Sequence, residues 1–160
     1  MKILVVEDQE RHLRDAIDDL KNIEDVEIKT ATTSEEALKI LETEKIDGVI
    51  TDIFIPETNG ELPIEPYGFM VAAIALGKNI HSIFCTDKYH HGEELEEINS
   101  AFIKIRTSIN YMWGEKIIDT PYNSEQTVRK SWAWALERLQ KRIAGLPEQS
   151  DECIDYHKHL

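Results

Sequence analysis

The chain has 160 residues, 41% hydrophobic and 31% charged, which supplies enough apolar material for one packed domain and excludes a disordered chain. Its 31 acidic residues outnumber 18 basic ones, and the net charge of −13 argues against nucleic acid or an anionic membrane surface as a direct partner. No segment approaches the ~20 apolar residues of a membrane span, the opening MKILVVEDQE lacks a signal core, and Cys85 and Cys153 stand far apart, so a cytoplasmic, reducing location is expected.

Residues 2–6, KILVV, form a short apolar run that stops at Glu7 and Asp8, the pattern of a strand buried on both faces. Leu13, Ala16, Ile17 and Leu20 then recur at helical spacing. Residues 26–31 alternate as a second strand, and Thr33 with Glu36 forms a capping-box pattern ahead of a helix through Leu41. Gly48 punctuates before a third strand, VITDIFI over 49–55. The stretch from Pro56 to Pro66 reads as a loop, 68–77 as a small-residue helix, and SIFCT over 82–86 as a fourth strand.

Leu95, Ile98, Phe102, Ile105, Ile109 and Met112 mark a long amphipathic helix from about Glu93 to Met112. KIIDT, 116–120, reads as a fifth strand ending before Pro121. A rival register makes AFIKIR, 101–106, that strand and brings Lys104 toward the site. The final helix is expected from near Ser124 to Ala144, stopped by Gly145 and Pro147, with 1–145 as one domain and 146–160 as a polar tail. Strands alternating with helices imply an α/β fold, a doubly wound five-stranded parallel sheet.

In such a sheet, chemistry gathers beyond the carboxyl ends of the strands. Glu7 and Asp8 end the first strand, Asp52 lies in the third, and Thr86 ends the fourth. Three carboxylates at one edge either take up protons or recruit a divalent cation, and an all-oxygen donor set favours magnesium. With a hydroxyl nearby, the set suits phosphoryl chemistry with an aspartate as nucleophile. Cys85, Asp87, His90 and His91 also lie close in sequence, but adjacent loop histidines rarely converge on one ion, and polar loop residues are the plainer reading. His157 and His159 read as part of the tail.

In these features the chain resembles the receiver domain of two-component response regulators, a flavodoxin-like fold, here with an enlarged fourth-helix region. The resemblance rests on ILVVED at the first strand, on ITDIFIPETNG with Pro56 four and Gly60 eight positions after Asp52, and on Thr86. It implies that Asp52 is the phosphoacceptor, that Glu7 and Asp8 position Mg2+ together with Asp52 and the backbone carbonyl of Phe54, and that Thr86 contacts the phosphoryl group. It implies a histidine kinase or histidine phosphotransfer protein as donor and a separate protein as output. It also implies dimer or partner contact through the fourth-helix, fifth-strand and fifth-helix face. No enzymatic activity is expected beyond magnesium-dependent self-phosphorylation and dephosphorylation.

Three positions depart from the family. Thr120 stands where a lysine precedes the proline after the fifth strand, Ile117 stands where an aromatic residue often sits, and Asp87 replaces a small residue. Lys88 and Lys116 are other candidate cations, neither at the family position. The first reading is a stand-alone, atypical receiver that signals through Asp52. The alternative is a phosphorylation-independent pseudo-receiver that binds partners through its helical face, with Trp134 as a contact anchor, because Trp132 and Trp134 lie ~200° apart on a helix and cannot both face the core. A small magnesium-dependent phosphohydrolase is a third class, for which no second acid/base system is visible.

Overall fold

The computed structural model describes residues 1–86, 117–119 and 130–146. Five strands, β1 (Lys2–Val6), β2 (Glu27–Ala31), β3 (Gly48–Thr51), β4 (His81–Phe84) and β5 (Ile117–Asp119), form one parallel sheet in the order β2-β1-β3-β4-β5. In-register pairs such as Val5 with Ile50, Ile50 with Ile83, and Ile83 with Ile118 run across it. The order reverses between β1 and β3, and at such a reversal the strand ends leave a crevice.

Both faces of the central sheet are covered, which explains why β1 and β3 read as unbroken apolar runs, whereas the edge strand β2 alternates. Ile3, Val5, Ile50, Ile83 and Cys85 pack on one side against α1 (Glu10–Leu20) and α4 (Trp132–Ile143), through Ala16, Leu20, Trp132, Ala135, Leu136 and Leu139. Leu4, Val6 and Val49 face α2 (Ser34–Thr43) and α3 (Tyr67–Gly77) on the other side.

Local chemistry sets the helix ends. Thr33 caps α2 by accepting from the Glu36 N–H at 3.1 Å, while the Glu36 carboxylate reaches back to the Thr32 N–H at 2.8 Å, one residue earlier than the reciprocal bond of an ordinary capping box. Gly145, at φ 65°, ends α4 with the Leu146 N–H bonded to the Lys141 carbonyl.

Several details differ from expectation, among them β4, which ends at Phe84 and leaves Thr86 beyond the strand. Gly48 is not a break but the first residue of β3; a Cβ there would lie 2.8 Å from a Leu139 methyl, so the helix packs into the space its hydrogen leaves. β3 ends at Thr51, which puts Asp52 just beyond the strand rather than inside it. The α1 face is rotated, with His12 buried and Ile17 40% exposed. The last helix begins at Trp132, and Lys130 and Ser131 are not helical.

β5 is the KIIDT segment, so the fifth place in the sheet goes to Ile117–Asp119. The expected helix over 93–112, Lys88, Lys104, Lys116, Asp87, His90, His91, Thr120 and most of the 146–160 tail lie outside the described residues. Among the described residues, no helix is long and apolar enough to cross a membrane.

Candidate functional site

The end of the β1–β3 ladder builds the site. The Asp52 N–H donates to the Val6 carbonyl at 2.9 Å, and the Glu7 N–H donates to the Ala31 carbonyl at 3.0 Å, so both acids are held by extensions of the sheet. Glu7 is 0% exposed and Asp52 1% exposed. One oxygen from each of Glu7, Asp8 and Asp52 lies within 4.8 Å of the other two. The three carboxylates expected at one edge are thus brought together.

A fourth member was not expected there. Lys130 is buried, and its Nζ donates to Asp52 Oδ2 at 2.8 Å and to Glu7 Oε2. The lysine taken as absent, with Thr120 in its place, is therefore supplied by Lys130, just ahead of α4 and ten residues further along the chain. Apolar periodicity carries the expected final helix through this position, so Lys130 reads there as a helical residue. The available signal was the Lys130-Ser131 pair in front of Trp132, since serine is a common residue at a helix start.

The other carboxylate oxygens are also engaged. Asp52 Oδ1 accepts from the Ile53 N–H at 2.6 Å, and Glu7 Oε1 accepts from the Gln9 N–H at 3.0 Å. Burial pushes the Glu7 carboxyl up from 4.5 to about 7; the Lys130 charge opposes this rise and the Asp52 charge adds to it. Burial alone would lower the Lys130 pKa, but the charges of Asp52 and Glu7, and its hydrogen bonds to both, raise it above the ordinary lysine value. Lys130 therefore remains an ammonium at any physiological pH.

Thr86 is buried two residues past β4, and the adjacent Cys85 N–H donates to the Thr51 carbonyl at 3.0 Å, which keeps this segment at the Asp52 edge of the sheet. The side chain of Phe54 packs with Ile53, Ala72 and Phe84. Trp132 is fully buried against the sheet, with Lys130 Nζ 5.7 Å from its ring, whereas Trp134 is half-buried, 4.5 Å from the Arg138 guanidinium.

Gly60, eight positions after Asp52, has φ 91° and no heavy atom within 4 Å of where a Cβ would stand, so it serves a turn. Gly68 is the one packed on the acid: a Cβ there would fall 1.9 Å from the Asp52 carbonyl oxygen, and its N–H donates to the Ile53 carbonyl at 3.0 Å. The N-terminus of α3 thus rests directly on the Asp52-Ile53 backbone, and the loop 57–66 is an excursion from it.

The all-oxygen donor set fits a hard divalent cation. Oxygens bound to magnesium at about 2.1 Å lie roughly 3–4 Å apart, so three oxygens within 4.8 Å of one another converge with small side-chain adjustments. Three carboxylates and one ammonium, when all are ionised, leave two negative charges, the charge such a cation cancels.

Residues 3–65 match the family described as the response regulator receiver domain. No curated protein matches the sequence. The fold is similar to the signal receiver domain of an HD domain-containing protein from Pseudomonas fluorescens Pf-5, at TM-score 0.57 and 20% identity over 90% of this chain and 97% of that one. It is also similar to a CheY-like receiver domain from Methanospirillum hungatei JF-1, at TM-score 0.57 and 22% identity over 90% and 94% of the two chains. The non-phosphorylated HemR receiver domain from Leptospira biflexa gives TM-score 0.55 and 21% identity over 92% and 97%. Residues 3–65 thus carry the response regulator receiver family's signature, and the chain has the flavodoxin-like receiver fold.

Proposed function

We propose that the chain accepts a phosphoryl group on Asp52 from a protein phosphohistidine and passes the signal on by a change of surface. The observation that carries this reading is the buried Lys130 ammonium 2.8 Å from Asp52 and bonded to Glu7 as well, in a pocket shared with Asp8. The ammonium balances the buried carboxylates and also stands beside the nucleophile, where a transferred phosphoryl group would gain from it.

In the proposed step, a carboxylate oxygen of Asp52 forms a bond to phosphorus as the P–N bond of the donor breaks. The leaving imidazole keeps the electron pair and takes up a proton. The Ile53 N–H holds one carboxylate oxygen and Lys130 the other, so the nucleophile is oriented before the donor arrives. The ammonium then lies where negative charge gathers on the transferred group, and preorganised charge of this kind is the main tool of phosphoryl transfer. Glu7, Asp8, Asp52 and the Phe54 carbonyl would hold Mg2+, which when bound neutralises the phosphoryl oxygens. The Thr86 hydroxyl is the proposed donor to the phosphoryl group, which would draw that segment inward and alter the surface around β4 and β5.

The test is intact-mass measurement after treatment with a small phosphodonor and magnesium. Wild-type protein gains one phosphoryl group and Asp52→Asn gains none. Folded wild-type protein that stays at its unmodified mass overturns the proposal and leaves the phosphorylation-independent binding module.

A further inference from the structure

The loop 57–66, ahead of α3, carries a surface that the carboxylate site does not use. Its base is closed by the Ile55–Pro66 bridge and by the Gly68 N–H on the Ile53 carbonyl, so it stands at the same edge as Asp52. It is also tied to α2, whose Ser34 and Glu35 N–H groups donate to the Pro56 and Glu57 carbonyls at 3.0 and 3.1 Å. Tyr67 donates to the Glu57 carboxylate at 3.0 Å, and the Thr58 N–H donates to the Glu61 carboxylate at 3.1 Å. Two tight turns are centred on prolines: the Ile64 N–H bonds the Leu62 carbonyl around Pro63, and the Tyr67 N–H bonds the Glu65 carbonyl around Pro66.

This ordered loop holds Leu62 and Ile64 in water, 74% and 70% exposed, the two most exposed large apolar side chains among the described residues. Scattered exposed apolar residues are ordinary, but two on a pinned turn, flanked by acids, form a preorganised contact. From Ile46 to Gly77 the sequence has no Lys, Arg or His, while Glu57, Glu61 and Glu65 surround the pair. A second copy of this chain, at net charge −13, would be repelled from that surface.

We propose that the loop 57–66 docks the protein phosphodonor, by inserting Leu62 and Ile64 into an apolar cleft rimmed by basic residues beside the donor's phosphohistidine. This rests on the reading of Asp52 as phosphoacceptor. A donor reaching Asp52 has to come over this edge of the sheet, and the acidic rim supplies the complementary charge that orients it.

The experiment compares two donors on wild-type protein, on the Leu62→Ser/Ile64→Ser double variant and on Glu65→Lys. One donor is a small phosphoramidate. The other is a panel of autophosphorylated histidine kinase cores from the same genome. The expected result is unchanged labelling by phosphoramidate, and a kcat/KM for the best kinase that falls at least tenfold in the double variant and several-fold, in a salt-dependent way, in Glu65→Lys. Equal kinase transfer to wild type and double variant overturns the docking proposal while leaving Asp52 as acceptor, as does a panel in which no kinase labels wild type that phosphoramidate labels. Failure of phosphoramidate on wild type overturns the acceptor reading itself, and the docking proposal with it. Sedimentation that shows wild-type dimers dissolved by the double variant assigns the loop to a second copy and also overturns the proposal.

Discussion

Replacing Lys130 with methionine keeps most of the side-chain volume and removes the only charge that faces Glu7 and Asp52 together among the described residues. Both acids are shielded from water, so their negative charges would face each other without a counter-ion. Breaking a buried ion pair by deleting one partner costs about 3–5 kcal/mol, and Lys130 serves two partners. Part of the loss is recovered because Glu7, already displaced toward about 7, takes up a proton more readily. A net loss of about 3 kcal/mol at pH 8 is expected, lowering Tm by roughly 6–12 °C for a domain of this size. The same substitution frees the carboxylates for a cation, so millimolar magnesium should restore more stability to Lys130→Met than to wild type. Urea or thermal denaturation with and without magnesium reads both effects. A variant as stable as wild type in metal-free buffer at pH 8 would refute the placement of the ammonium between the two acids.

Two further outcomes follow from the same geometry. The Glu7 pKa is raised in the folded protein, so the native state binds the extra proton between pH 4.5 and about 7; this contribution to stability is complete below 4.5 and is lost as pH rises through 7. At about 1.4 kcal/mol per unit the loss is about 3–4 kcal/mol, and Glu7→Gln should flatten the stability profile across that window; an unchanged slope in the variant would assign it to other groups. Gly68→Ala forces a methyl into the Asp52 carbonyl and should cost about 1–3 kcal/mol with weakened magnesium binding, whereas Gly60→Ala, strained at φ 91°, should cost about 1–2 kcal/mol and leave magnesium binding intact; equal loss of magnesium binding in the two variants would contradict the contact of Gly68 with the Asp52 backbone.

The strands and the acids were legible for the same reason. KILVV and GVIT are covered on both faces, so burial wrote itself into the sequence as apolar runs, and the acids stand where those runs end. Helix α2 announced itself through Thr33 and Glu36, because a cap is a local bond between near neighbours. Lys130 was not legible in this way. Its partners lie 78 and 123 residues away, and a lysine in an apolar-periodic stretch reads as the solvent side of a helix until the fold aims it inward. Gly68 was not legible either, because only the path of the chain brings it onto the Asp52 backbone.

Residue-level mapping of the acyl phosphate tests the central claim most directly. Protein treated with a small phosphodonor and magnesium, reduced with borohydride and digested, should yield homoserine at position 52, dependent on magnesium and strongly reduced in Lys130→Met. Homoserine at position 8, or none at any carboxylate of folded wild-type protein, would contradict the account.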